Sequence, residues 1–207
     1  MNVALNANLI LAVEALPMMV GFLLTLPVGA RLAPLMSKAW PSLGSVRGRQ
    51  IAGLLLVMLS GLIVSAHTWW IHERLSQLGG EFCASDGLFS CDDVIGHDTY
   101  GYAPLIGLPW GLVGVGVFTV LLYAGLVLQK EPDAPNGRRA VQAMLLLTGG
   151  GMGVILLLVS YEIRIEKLCQ YCSTAHLANV LVLVTSWRMW RMMENGTWSD
   201  AARPDPK

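Results

Sequence analysis

Long apolar runs alternate along this chain with short charged segments. Residues 8–30, 51–70, 105–128, 140–161 and 169–190 carry almost no charge, and a helix that crosses a bilayer needs about 20 such residues. The pattern predicts five spanning helices. The first run contains Glu14, Pro17 and Pro27, and no basic residue precedes it, Arg31 being the first. A secretory signal has a positive start and a small-residue cleavage site. The run therefore reads as a retained helix, with a helix lying in the interface as the alternative. One long polar loop, 71–104, separates the second and third runs.

Composition strengthens the membrane reading. The chain of 207 residues is 54% hydrophobic and 14% charged, where a soluble domain carries about 25% charged residues. The net charge is zero, which gives no case for nucleic-acid binding. The basic residues set an orientation. Segment 31–50 holds Arg31, Lys38, Arg47 and Arg49; segment 129–139 holds Lys130, Arg138 and Arg139; the tail holds Arg188, Arg191, Arg203 and Lys207. With five spans these lie on one side, the cytoplasmic one. Loop 71–104 then faces outward. It is acidic, with Glu73, Glu81, Asp86, Asp92, Asp93 and Asp98 against Arg74. The turn 162–168, also outward, carries Arg164 and Lys167 as a mild exception. Trp69, Trp70, Tyr161, Trp187 and Trp190 fall at helix ends, as an aromatic belt does.

All four cysteines fall on the outer side. In a bacterium that is the periplasmic face of the inner membrane, where disulfides persist. Cys169 and Cys172 share one face of the first turn of the last helix. The helix N-terminus favours a thiolate there, as do the charges of Arg164 and Lys167. Thiol exchange needs a thiolate attacker. The same Cys-x-x-Cys spacing also serves zinc. Cys83 and Cys91 bracket a seven-residue segment with Gly87, short enough to close a disulfide. Alone, that pair also reads as a static bridge. Two dithiols on one side favour a relay; a non-catalytic zinc-binding or disulfide-stabilised membrane protein is the alternative.

The last helix continues the cysteine face through Ser173, His176 and Asn179 or Val180. Polar residues inside a membrane usually face the bundle interior and mark function. His176, Asn179 and Ser173 are the candidates to bind a lipid-soluble quinone; the alternative is that they tie helices together. Gly107, Gly111 and Gly114, and Gly149, Gly150, Gly151 and Gly153, read as close-packing positions. Residues 92–102 have spaced apolar positions (Val94, Ile95, Tyr100, Tyr102) and suit a short amphipathic cap over the outer mouth. His72 and His97 read as surface histidines, and His67 has no assigned role.

This constellation resembles the vitamin K epoxide reductase family in its bacterial branch. Shared features are a cysteine pair eight apart after one helix, Gly107-Leu108-Pro109 at the next, and Cys-x-x-Cys opening the last. The resemblance covers residues 50–190 and implies an all-α membrane protein with a four-helix bundle around a quinone, ubiquinone or menaquinone. The helix at 8–30 is an extra. The implied organisation is residues 1–50 as N-terminal helix and cytoplasmic segment, 51–190 as the bundle, and 191–207 as a polar tail.

The resemblance implies a thiol oxidoreductase that supports disulfide formation in exported proteins. A separate thioredoxin-fold partner, DsbA-like, attacks Cys83 of the Cys83–Cys91 disulfide. Cys91 then attacks Cys169, and Cys172, nearest the quinone, passes the electrons on. A DsbB-type oxidase has the two pairs in the opposite order. The chain departs from the family pattern twice: Gly96 and His97 stand where a serine is common, and His176 stands where a tyrosine is common. The fused thioredoxin-like domain of many bacterial members is not expected here.

Overall fold

The computed structural model describes residues 3–31, 37–38, 40–79, 82 and 85–203. Glu81, Cys83 and Lys207 lie outside them. The fold is carried by helices α1 (Val3–Thr25), α2 (Val46–Leu78), α3 (Cys91–Ile95), α4 (Trp110–Lys130), α5 (Pro135–Ile165) and α6 (Gln170–Glu194). A hairpin of two short strands, β1 (Ser85–Asp86) and β2 (Phe89–Ser90), precedes α3.

Helix α2 packs against both α4 and α6, and α5 closes the ring by packing against the same two. These four form the bundle. Helix α1 lies outside the ring, mainly against α2. The two approach closely because Gly21 and Gly53 face each other's backbone, leaving no room for a Cβ on either. Helices α1 (over Ala7–Thr25), α2, α4 and α5 are long and apolar enough to cross a membrane. Helix α6, at 25 residues, is longer than α4. It stands apart from those four because His176, Asn179, Arg188 and Arg191 interrupt its apolar positions.

Several expected boundaries shift for physical reasons. Helix α2 has 33 residues, about 50 Å at 1.5 Å per residue, against a hydrocarbon core of about 30 Å. Its last two turns extend past the expected span and make the start of loop 71–104 helical. Ser45 fixes its other end, its hydroxyl accepting from the Gly48 N–H at 3.1 Å. Helix α4 starts at Trp110, not at 105. Pro109 occupies its N-cap, where a missing N–H costs nothing, and Gly107 turns the chain just before at φ 64°. Helix α5 runs into the expected turn 162–168 and stops where Glu166 adopts φ 56°.

The glycines divide into two classes. A Cβ on Gly111 would strike the Trp69 backbone, and one on Gly114 would meet the Ser65 hydroxyl at 2.6 Å. These two bring α4 onto α2. Gly107 lies in a loop, and Gly149, Gly150 and Gly153 meet nothing within 4 Å. Those four are not packing positions, which corrects the expectation for them.

Charge separates along the bundle. The Arg47 guanidinium donates to Asp133 Oδ1 at 2.7 Å, and Trp198 Nε1 donates to the Pro132 carbonyl at 2.9 Å. Arg138 sits 4.7 Å from the Trp190 ring centre. The basic segments before α2, between α4 and α5, and after α6 thus meet at one end. Cys91, Cys169 and Cys172 sit at the other.

Candidate functional site

A short backbone zipper builds the cysteine end. The Ser90 N–H donates to the Leu168 carbonyl at 3.1 Å, and the Leu168 N–H donates to the Leu88 carbonyl at 2.9 Å. Lys167 Nζ adds a bond to the Gly87 carbonyl at 2.8 Å. The hairpin is thereby fixed beside the segment that leads into α6. Ser90 caps α3, its hydroxyl accepting from the Asp93 N–H. The residue after Ser90 is Cys91 and the residue after Leu168 is Cys169, so the zipper sets the two side by side. Both are buried, in one apolar cluster with Val64, Ile71, Ile95 and Tyr171, and their thiols are hydrogen-bonded.

Cys169 is the N-cap of α6 rather than a residue of its first turn. Its sulfur accepts from the Cys172 N–H at 3.1 Å. That bond favours a thiolate, but Cys169 is fully buried. Burial pushes its thiol well above the ordinary range, and hydrogen bonding with the Cys172 and Cys91 thiols pushes the same way. The expectation that the helix end lowers this thiol is therefore corrected: desolvation outweighs the dipole. The Cys169 N–H is held by Glu162 Oε1 at 3.1 Å. Glu162 is itself buried. The sequence reading missed it, since an acid seven residues before a cysteine matches no motif.

Cys172 stands where two cavities meet. The smaller, about 40 Å³, lies under the cap and is lined among others by His72, Val94, Ile95, Tyr100, Glu162 and Cys172. The larger, about 310 Å³, lies between α2, α4, α5 and α6. Its wall is mostly apolar, with Cys172, His176, Asn179, Ser65 and Thr68 as its polar points. Gly150 and Gly151 belong to this wall, so the glycine run of α5 opens space.

Residues 92–102 lie over the upper cavity. Tyr100 stacks on Tyr161 at 4.6 Å between ring centres, and its carbonyl accepts from Trp110 Nε1 at 3.1 Å. His72 is 5% exposed. Its Nδ1 lies 2.8 Å from the Ile95 carbonyl and its ring meets Tyr102 edge-on. His72 is thus a cap-anchoring residue and not a surface histidine, because the extra turns of α2 carry it under the cap. His97 Nδ1 accepts from the Thr99 and Tyr100 N–H groups, a local turn.

The other expected contacts of the last helix divide. His176 lines the larger cavity. Asn179 lines it too, but its amide donates to the Thr148 carbonyl at 3.1 Å and to Met152 Sδ at 3.7 Å, tying α6 to α5. Ser173 is exposed and outside the wall. One residue past Cys172, it is rotated about 100° off the cysteine face. His67 acquires a partner: its Nδ1 lies 2.8 Å from Glu14 Oε1, joining α1 to α2. Its ring meets Tyr171 edge-on, and the Tyr171 hydroxyl donates to the Ala7 carbonyl. Among the described residues no group of three or more His, Cys, Asp or Glu converges as a metal site would.

Residues 52–187 match the model of one known family, described as the vitamin K epoxide reductase family. No curated protein matches the chain.

Proposed function

We infer from the match over residues 52–187, by which this chain belongs to the vitamin K epoxide reductase family, that it is a membrane oxidoreductase moving electrons from protein thiols to a quinone. The observation that carries this reading is the contact of the Cys91 and Cys169 thiols beside a cavity that Cys172 lines. Disulfide exchange runs by attack of one thiolate on a disulfide sulfur. With Cys169 and Cys172 oxidised, Cys91 attacks Cys169, and the electron pair leaves on Cys172. The Cys172 N–H bond to the Cys169 sulfur keeps the two cysteines in register for closure.

The larger cavity fits a quinone head group. Its volume lies at the lower end of the usual ligand range, its wall is apolar, and it presents one sulfur and few polar atoms. Cys172, His176 and Asn179 line it and are the candidates to hold the ring, while Ser173 lies outside the wall. When bound, the quinone supplies an acceptor for two electrons and two protons. Gly150 and Gly151 keep the wall thin, and Tyr100 of the cap, bonded to Trp110 at the start of α4, excludes water.

Cys83 is the residue for an incoming partner, a separate thioredoxin-fold protein that reduces the Cys83–Cys91 pair. By the distribution of Lys and Arg the cysteine end faces the periplasm, and the work is disulfide formation in exported proteins. Residues 51–190 form the working bundle, with 1–50 and 191–207 flanking it. The test is a half-reaction. Purified protein, fully reduced and mixed with a ubiquinone or menaquinone analogue, is expected to re-form the Cys169–Cys172 disulfide and yield quinol. A protein that keeps its thiols under these conditions is not a quinone reductase.

A further inference from the structure

Resting on that thiol-to-quinone reading, we propose that Glu162 carries the proton between the loop sulfur and the helix sulfur during disulfide exchange. Attack by Cys91 must shed a proton, and Cys172 leaves as a thiolate that takes one up. Cys172 lines the cavity under the cap, and Cys91, itself buried, begins the helix whose Val94 and Ile95 line it, so bulk water has little access to either. Glu162 is the one carboxylate among the described residues that line that cavity. It is 4% exposed, shares the wall with Cys172, interacts electrostatically with Cys91, and is fixed through its Oε1 to the Cys169 N–H at 3.1 Å. A carboxylate spent only on one backbone N–H is an expensive choice for a buried site.

The other groups facing it do not offer the same service. His72 is engaged with the Ile95 carbonyl. Tyr100 and Tyr161 are stacked on each other. Asp92 accepts from the Phe82 N–H, and Asp93 is exposed on α3. Lys167 is held by Gly87. The Cys91 proton passes to the Glu162 carboxylate while Cys91 Sγ bonds to Cys169 Sγ. The Cys169–Cys172 bond breaks with its electron pair on Cys172 Sγ. Glu162 then returns the proton to that sulfur.

The experiment needs no quinone. Oxidised protein in detergent is treated with a small dithiol, quenched in acid, alkylated, and the freed Cys172 thiol measured by mass spectrometry from pH 6 to 10. The portion of release lost in Cys91→Ala is the relay step. Glu162→Gln keeps an oxygen for the Cys169 N–H but cannot take a proton. It is expected to slow the relay about 10²-fold at pH 7, as loss of a general base does, and to recover as pH rises and Cys91 ionises unaided. Glu162→Asp, which retains the acid, is expected to keep the wild-type shape of the pH profile at a lower rate. A merely positioning residue reverses this order: Gln works and Asp fails. Equal rates and profiles for wild type and Glu162→Gln overturn the proposal. Wild-type protein that shows relay exchange with the expected Glu162 dependence yet reduces no quinone overturns the quinone reading alone; wild-type protein with no Cys91-dependent release overturns both.

Discussion

At the scale of residues, the site is a contest between burial and hydrogen bonding around sulfur. Cys169 has a backbone N–H aimed at it and still holds its proton tightly, because it is wholly enclosed. Its folded pKa lies above the unfolded value near 8.5. In the reduced protein its contribution to stability is therefore complete below about pH 8.5 and is lost as pH climbs through the folded value. We expect Cys169 to resist iodoacetamide at pH 7 to 8 and to react only well above that range, as read by peptide mass spectrometry. Labelling at pH 7 as fast as in the unfolded chain would show that the thiol is not desolvated. His176 was legible from the sequence as a polar residue one turn past Cys172, about 6 Å along the axis, and it lines the cavity. Donors aimed at developing charge are worth about 10²–10³ in rate. His176→Phe is expected to lower quinone turnover by about tenfold or more while exchange between the cysteine pairs persists, and His176→Tyr to restore part of it. Wild-type turnover in His176→Phe would make it a packing residue. Glu162 and His72 were not legible. Nothing local marks either as buried; each is enclosed by a segment distant in sequence.

At the scale of elements, the apolar runs revealed the helices because hydrophobic length is a local property. The corrections arise where a single residue decides: Pro109 and Gly107 delay α4, and Glu166 ends α5. The pairing of Leu88 and Ser90 with Leu168 could not be read from the chain, since backbone hydrogen bonds carry no side-chain signature. Yet that pairing delivers Cys91 to Cys169. The glycine run of α5 divides for a related reason: small residues permit either close contact, as at Gly151 against Asn179, or empty space, as at Gly149, Gly150 and Gly153, and only the packed fold says which. Gly150 offers a clean test. A Cβ there meets nothing within 4 Å, so Gly150→Leu is expected to leave the melting temperature nearly unchanged. Its side chain would occupy part of the larger cavity and raise the quinone KM several-fold, with thiol exchange between the cysteine pairs intact. Unchanged quinone kinetics in a folded Gly150→Leu variant would place the quinone elsewhere.

At the scale of the whole molecule, charge and chemistry are separated. One end gathers Arg47 and Arg138 with Trp198 and Trp190; the other gathers the sulfurs of Cys91, Cys169 and Cys172. Helix α1 adds a fifth long element to the ring of four, held by the Glu14–His67 contact and by Tyr171, which sits between the two cysteines of α6 and bonds to α1. In intact bacterial cells or right-side-out vesicles, a membrane-impermeant thiol reagent is expected to reach reduced Cys83 from the outer side, and reaction only from the cytoplasmic side would invert the orientation. The most direct measurement is complete turnover. Purified protein, a reduced DsbA-like partner and a ubiquinone or menaquinone analogue are combined, and quinol is followed by absorbance while partner thiols are counted. One quinol is expected for each partner dithiol oxidised, with turnover abolished in Cys172→Ala. Partner oxidation without quinol, or quinol formation that survives Cys172→Ala, would contradict a relay that ends at Cys172.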